Sequence, residues 1–246
     1  MYEILEWDSN FFNYKVAKIN LRAITDSLLS SVLSELKDVG VKLAYLSCDP
    51  DCIVSNSSAI NFGGLLLDKK VTFSISLNQT SETINVAPSE FIIEEYQSER
   101  LSESLERLAI QAGEFSRFKL DPNISDEQFR QLYKLWCLNS INRSFADVVF
   151  VVRNKNEELA MVTVKKQEKI VNIGLIAVSP ELRNKGVGSM LLSAVINWSR
   201  SNQVCQIKVV TQEDNLNACG FYRKSGFHIQ NVENIYHFWN SCEHTF

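Results

Sequence analysis

Residues 181–191 read ELRNKGVGSML. Two glycines, an arginine and a lysine share one short turn, and a small, apolar, helix-like run follows at once. The chain has only 9 glycines in 246 residues, so Gly186 and Gly188, one residue apart before a helix, need a reason. The first turn of a helix carries unpaired N–H groups and a partial positive charge. Glycines there remove the Cβ atoms that would hold an anion off the backbone. Arg183 and Lys185 add full charge. The run Arg183, Asn184, Lys185, Gly186, Val187, Gly188 and Ser189 therefore predicts a seat for a phosphate-bearing ligand.

The surroundings fit an α/β frame. VVFVVR, LAMVTVKKQ and KIVNIGLIAV read as three strands, and Pro180 ends the third. Gly186 to Ser201 reads as a long amphipathic helix. CQIKVVTQ is a strand, NLNACGFYRKSG a short helix, and FHIQ with IYHFW two closing strands. Ahead of these lie a strand in FIIEEY and a helix carrying Leu101, Leu105, Leu108 and Ala112. A second helix opens at Ser125, where Gln128 completes a capping box. Its stripe of Phe129, Leu132, Tyr133 and Trp136 is expected to be core.

The first part of the chain rhymes with this. KVAKINL reads as a strand, and a helix follows with Leu28, Leu29, Val32, Leu33 and Leu36 on one face and Gly40 past its end. VKLAYLS is a strand, SNSSAINFGG a short helix, and LLLDKKVTFSISL a hairpin turning near Asp68–Lys69. Residues 78–90, polar with Pro88, are the expected linker. Two domains are predicted, 1–85 and 90–246. Each contains strand, polar turn, short helix and a glycine beside a phenylalanine. The first has no glycine before Gly40 and so no counterpart of the 181–191 turn. It is expected to bind no ligand there.

Composition narrows the classes. A net charge of −4 without a basic face excludes a nucleic-acid binder. No apolar run reaches the ~20 residues that span a bilayer, and MYEILEWDSNFF lacks the features of a signal peptide. The expected location is cytoplasmic. The 6 cysteines are scattered and the 3 histidines sit near the C-terminus, so no metal site is expected.

A Walker loop is absent, and a dinucleotide fingerprint would need a third glycine. What remains is Arg183-x-x-Gly186-x-Gly188 after a strand ending LIAV, followed by Asn215, Ala218, Tyr222 and Gly226–Phe227. This pattern resembles the GNAT superfamily of N-acetyltransferases over roughly residues 90–246. The resemblance implies a mixed, mostly antiparallel GNAT-type sheet flanked by helices, preceded by a smaller, truncated copy of the same α/β fold. It implies acetyl-CoA as cosubstrate, with its pyrophosphate on the loop amides and its pantetheine arm along Ile176, Ala177 and Val178. Asn215 and Phe221 join the cofactor site. Tyr222 is the implied general acid for the leaving thiolate. The strand VNIGLIAV offers no carboxylate as base, and His228 and His237 are expected to be structural.

LEWDSNFFNYKVAKI, with Trp7, Asp8, Phe11 and Phe12, and FSRFKLDP at 115–122 resemble the bacterial dTDP-fucosamine acetyltransferases. That resemblance implies a nucleotide-sugar substrate acetylated on its 4-amino group for surface polysaccharide, with Arg117 and Phe118 as substrate contacts. An amine on a sugar ring is less basic than a lysine and needs less help from a base. Another amine (aminoglycoside, polyamine or protein) and a non-catalytic acyl-CoA module stay open, as does a homodimer.

Overall fold

The computed structural model describes residues 1–21, 24–77, 91–155 and 157–240. The expected linker at 78–90 lies outside the described residues, as do Cys242 and His244. In chain order the elements are β1 (Tyr2–Ile4), α1 (Glu6–Phe12), β2 (Lys15–Ile19), α2 (Asp26–Asp38), β3 (Val41–Cys48), α3 (Ile53–Asn61), β4 (Leu65–Ser76), β5 (Ile93–Glu95), α4 (Glu103–Ala112), α5 (Arg117–Leu120), α6 (Asp126–Ile141), β6 (Val148–Asn154), β7 (Glu157–Gln167) and β8 (Ile170–Val178). A 3₁₀ turn (Pro180–Leu182), α7 (Val187–Ser201), β9 (Gln206–Gln212), α8 (Leu216–Lys224) and β10 (His228–Trp239) complete them. The chain divides into two compact units. The first takes Met1–Val71, Gln212–Asp214 and the chain from Asn231 on; the second takes Thr72–Thr211 and Asn215–Gln230.

In the first unit the strands run β1-β2-β3-β10-β4. β2 and β3 are parallel, with Ile19 opposite Leu46, and β10 returns antiparallel with Tyr236 opposite Leu46. α2 forms because Leu29, Val32 and Leu36 recur at helical spacing. They are wholly buried in one cluster with Ala17, Ile19, Ala44 and Leu46. Thr25 caps its start by accepting from the Leu28 N–H at 3.4 Å, and Gly40 ends it at φ 76°. Asn56 ties α3 to β10: its Oδ1 accepts from Asn234 Nδ2 and the Tyr236 hydroxyl, each at 2.8 Å. His237 is fully buried here, its ring 4.7 Å from that of Tyr45.

In the second unit the order is β4-β9-β8-β7-β6-β5. β5 to β8 pair antiparallel, and β8 pairs parallel with β9. The mixed, mostly antiparallel sheet flanked by helices is the expected fold class. α4 buries Leu105, Leu108 and Ala109, and α7 buries Val187, Leu191, Leu192, Val195 and Ile196. The capping box of α6 is present in both halves. Ser125 Oγ accepts from the Gln128 N–H at 3.1 Å, and Gln128 Oε1 accepts from the Ser125 N–H at 3.0 Å. The side chain of Glu158 is 3% exposed. It accepts from Ser102, Ser104 and Arg153, tying the start of α4 to β7.

Two expectations are corrected. LLLDKKVTFSISL is one strand, not a hairpin at Asp68–Lys69, and His228–Trp239 is one strand, not two. Each has 12 residues, about twice the usual strand length. Length and interspersed polar residues suggested breaks. A two-residue hairpin, however, needs Gly or Asn at positive φ, which Asp68–Lys69 does not provide. Lys69 instead reaches Glu213 at 3.2 Å, and Lys70 reaches Glu233 at 2.9 Å. Both strands contribute to both units, with β4 passing over after Val71 and β10 after Gln230. The C-terminal strand thereby returns to the first unit, which a cut at the linker alone does not capture.

Candidate active site

Every residue singled out for chemistry belongs to the second unit. β8 and β9 pair from Ile170–Gln206 to Ile173–Val209. β8 then runs on for five residues to Val178, and β9 for three to Gln212. The parting coincides with a bulge. Val164 faces Ile173 and Val162 faces Ile176, so Gly174 and Leu175 together oppose Thr163. A bulge bends its strand and adds twist. Beyond it Ile176, Ala177 and Val178 pair with Val162, Met161 and Ala160 of β7 on one edge. Their other edge carries no β9 pairing. An extended arm with amide groups can add itself to such an edge.

The glycine turn follows directly. Arg183 Nε donates to the Val178 carbonyl at 3.4 Å. Asn184 and Gly186 both adopt left-handed backbone, at φ 61° and 79°, and this alternation turns successive N–H groups toward one side. Gly186 is the N-cap of α7, and no side chain caps it. Thr25, Ser102, Ser125 and Asn215 cap α2, α4, α6 and α8, whereas α1, α3 and α5, like α7, start without a side-chain cap. The first amides of α7 are therefore left without a side-chain acceptor, which suits an anion. Arg183, Asn184, Lys185 and Gly186 are exposed, Val187 is buried, and Gly188 and Ser189 are half-buried. The two glycines have different reasons. Gly186 needs its positive φ, and a Cβ there would meet nothing within 4 Å. A Cβ on Gly188 would lie 3.1 Å from the Phe221 ring, so the turn and α8 approach each other here.

α8 brings the tyrosine. Asn215 Oδ1 accepts from the Ala218 N–H at 3.1 Å. That cap commits the oxygen and leaves Nδ2 as the group suited to a ligand. Tyr222 is 2% exposed and packed among Phe73, Phe221 and Phe227. Burial, and secondarily the Cys219 thiol, push its phenol well above the ordinary range. Burial therefore favours the neutral phenol, whose O–H can donate a hydrogen bond. His228 Nε2 lies 3.1 Å from Ser74 Oγ.

Arg117 and Phe118 sit on α5, a short helix the sequence reading did not separate. The Phe118 ring is 5% exposed, edge-on to Trp136 of α6, and the Arg117 guanidinium lies 4.7 Å from its centre. Phe118 thus packs against α6. Gln111 of α4 was missed: its Nε2 donates to the Val178 carbonyl at 2.9 Å and so fixes the end of β8. Nothing in its spacing marks it. The bulge was also missed, although a lone glycine inside a strand pattern is its usual mark. Among the described residues no three His, Cys, Asp or Glu side chains gather to hold a metal ion, and no helix is long and apolar enough to cross a membrane.

Comparison with known proteins falls on these residues. The model of the Acetyltransferase (GNAT) family matches residues 100–227, just over half of the chain. Streptothricin acetyltransferase A of Bacillus subtilis is 42% identical over 60 residues, 24% of this chain and 35% of that protein. The spore coat polysaccharide biosynthesis protein SpsD of the same organism is 24% identical over 142 residues, 58% of this chain and 49% of that one. The chain thus spans a third to a half of these curated relatives. A GCN5-related N-acetyltransferase from Sphaerobacter thermophilus superposes with a TM-score of 0.62 at 11% identity, covering 97% of this chain and 76% of that one. A tandem GNAT protein from the clavulanic acid biosynthesis pathway gives 0.59 at 11%, covering 91% and 75%. At such identity these two speak for the fold alone. The family model spans the glycine turn, the parted strands and the buried tyrosine, and on that ground the chain belongs to the GNAT family of acetyltransferases, which use acetyl-CoA as cosubstrate.

Proposed function

We propose that this chain is an acetyl-CoA-dependent N-acetyltransferase whose second unit holds the cosubstrate, and that its acceptor is the 4-amino group of a nucleotide-linked amino-dideoxy sugar of the dTDP-fucosamine kind. The observation that carries the first part is the helix start at Gly186. It is left-handed, it has no side-chain cap, and it stands directly after a strand whose edge is open. The pyrophosphate lies on the amides of Gly186, Val187, Gly188 and Ser189, with Arg183 and Lys185 adding charge. The pantetheine arm pairs with Ile176–Val178, and a backbone N–H near Ala177 or Val178 donates to the thioester oxygen. Such preorganised donors are often the largest catalytic contribution.

The amine nitrogen attacks the thioester carbonyl carbon, the C–S bond breaks, and the sulfur takes a proton. Tyr222 donates a hydrogen bond to that sulfur as it leaves, burial having kept the phenol neutral, and the sulfur's proton comes through water. The amine proton leaves to water, since β8 carries no carboxylate. The acceptor reading is supported by the 142-residue likeness to a polysaccharide biosynthesis protein. The 60-residue likeness to a streptothricin acetyltransferase favours a second reading, an antibiotic amine. Thiol release from acetyl-CoA, followed with dTDP-4-amino-4,6-dideoxygalactose, streptothricin and spermidine, separates them. The amino sugar should turn over with the highest kcat/KM. A preference for streptothricin overturns the sugar assignment. Failure to bind acetyl-CoA overturns the whole reading.

A further inference from the structure

Thr163 is a buried polar side chain, 3% exposed, on the middle of β7. It stands opposite the two bulged residues of β8. Its Oγ1 accepts from the Leu175 N–H at 2.8 Å. Leu175 is itself buried, and at a bulge the extra residue loses its ladder partner. The threonine hydroxyl thus substitutes for a backbone carbonyl. Gly174 fits the same arrangement, because a Cβ built there would come within 2.7 Å of Thr163 Oγ1. A threonine on a strand is stiff at χ1 and cannot swing aside cheaply. Hydroxyl, bulge and glycine form one unit, and β8 leaves β9 at that point, after Ile173–Val209.

We infer that Thr163 is a positioning residue that sets the aim of the open edge Ile176–Val178, and with it the seat of the pantetheine arm and thioester. The inference rests on the acetyl-CoA reading above. Without the hydroxyl the Leu175 N–H is buried and unpaired, and the cheapest relief is to straighten β8 toward β9, closing the edge. The glycine turn at Gly186 lies beyond Val178, which is held separately by Gln111 and Arg183. A ligand that uses only the turn should therefore be indifferent to Thr163.

The test compares CoA with 3′-phosphoadenosine 5′-diphosphate, which has the phosphates but no pantetheine arm, by calorimetry on the full chain. Thr163→Val keeps the shape and removes the acceptor. It should weaken CoA at least fivefold and leave the nucleotide within twofold. Thr163→Ser should restore CoA binding to within twofold of the parent. Gly174→Ala, which pushes the hydroxyl off the Leu175 N–H from the other side, should reproduce the valine phenotype. Exchange of the Leu175 amide should be faster in the valine variant than in the serine variant. If the parent binds CoA and Thr163→Val binds it equally well, or loses both ligands alike, the positioning role is overturned while the acetyl-CoA reading stands. If the parent binds neither ligand, the acetyl-CoA reading itself falls, and this inference with it.

Discussion

Helices α3 and α8 are each nine residues long, follow a strand, and end at a glycine with positive φ, Gly63 at 79° and Gly226 at 83°. Four residues before that glycine α8 has Tyr222, a buried proton donor, and α3 has Ala59, equally buried and chemically silent. The helices that precede them differ in the same sense. α2 begins at Thr25, whose own hydroxyl closes the helix start. α7 begins at a left-handed glycine with no side chain to close it. The two helix pairs thus share a local pattern and differ at the first helix start, which a side chain closes in α2 and none closes in α7. An uncapped helix start costs stability; α1, α3 and α5 also start without a side-chain cap, and what sets α7 apart is the left-handed glycine at its start, where the proposed binding of phosphate would offset that cost.

The largest effect that could break this contrast is on Tyr222. Tyr222→Phe keeps the ring among Phe73, Phe221 and Phe227 and removes only the hydroxyl. Turnover should fall by roughly 10²–10⁴ with acetyl-CoA affinity nearly unchanged. Turnover within about threefold of the parent would make the tyrosine a packing residue, like Ala59, and erase the chemical difference between the units.

Each unit also carries a carboxylate tie. Glu158 is 3% exposed and Glu233 26%. Burial opposes the charge of both. Hydrogen bonds from Ser102, Ser104 and Arg153 outweigh it at Glu158, those from Ser47 and Lys70 outweigh it at Glu233, and both carboxyls sit below their ordinary value of 4.5. A lowered folded value stabilises the fold above the unfolded value, and this contribution is lost as pH falls through the folded one. Chemical denaturation should therefore show stability dropping below about pH 4.5. Glu158→Gln should cost ~1–3 kcal/mol at neutral pH, as for a buried bond to a charged group, and flatten that acid limb. Glu233→Gln should cost less, ~0–1 kcal/mol. Equal costs would contradict the difference in burial.

A third measurement sharpens the role of the glycine turn. Gly188→Val places a branched side chain against Phe221, which already stands 3.1 Å from where a Cβ would be. Acetyl-CoA should bind at least tenfold more weakly, about 1.4 kcal/mol, with the circular dichroism spectrum intact. Unchanged affinity would remove the turn from the site.

Much of this was legible in the sequence. The glycine turn could be read because Gly186 and Gly188 are scarce residues at a helix start, and α6 because Ser125 and Gln128 state its beginning in their own side chains. The long strands β4 and β10 could not. Their continuity depends on pairing partners far away in the chain, and local polarity at Asp68–Lys69 and around Asn231 pointed to turns. Gln111 and Thr163 were invisible for a related reason: each acts through one hydrogen bond to a backbone atom of β8, and no spacing rule encodes that. Gly174 did carry a sign, as a lone glycine in a strand.

The smallest prediction tests whether the first unit is only a scaffold. Thr25 Oγ1 reaches the Leu28 N–H at 3.4 Å, a long bond, whereas the capping box of α6 makes two at 3.1 and 3.0 Å. Removing an N-cap hydroxyl typically costs ~0.5–2 kcal/mol. A long single bond belongs at the low end of that range, and a reciprocal box toward the middle. Thr25→Ala should therefore lower unfolding free energy by ~0.5 kcal/mol and Ser125→Ala by ~1 kcal/mol, measured in urea at constant m-value. Neither residue is part of the glycine turn, so acetyl-CoA affinity should stay within twofold in both. For Ser125 that outcome would only restate that it closes α6 and no part of the turn. For Thr25 it carries weight, because Thr25 closes the helix start that corresponds to the open one at Gly186. A threefold or larger loss of acetyl-CoA affinity on Thr25→Ala would mean that the first unit takes part in binding, and the division between a closed copy and an open one would have to be given up.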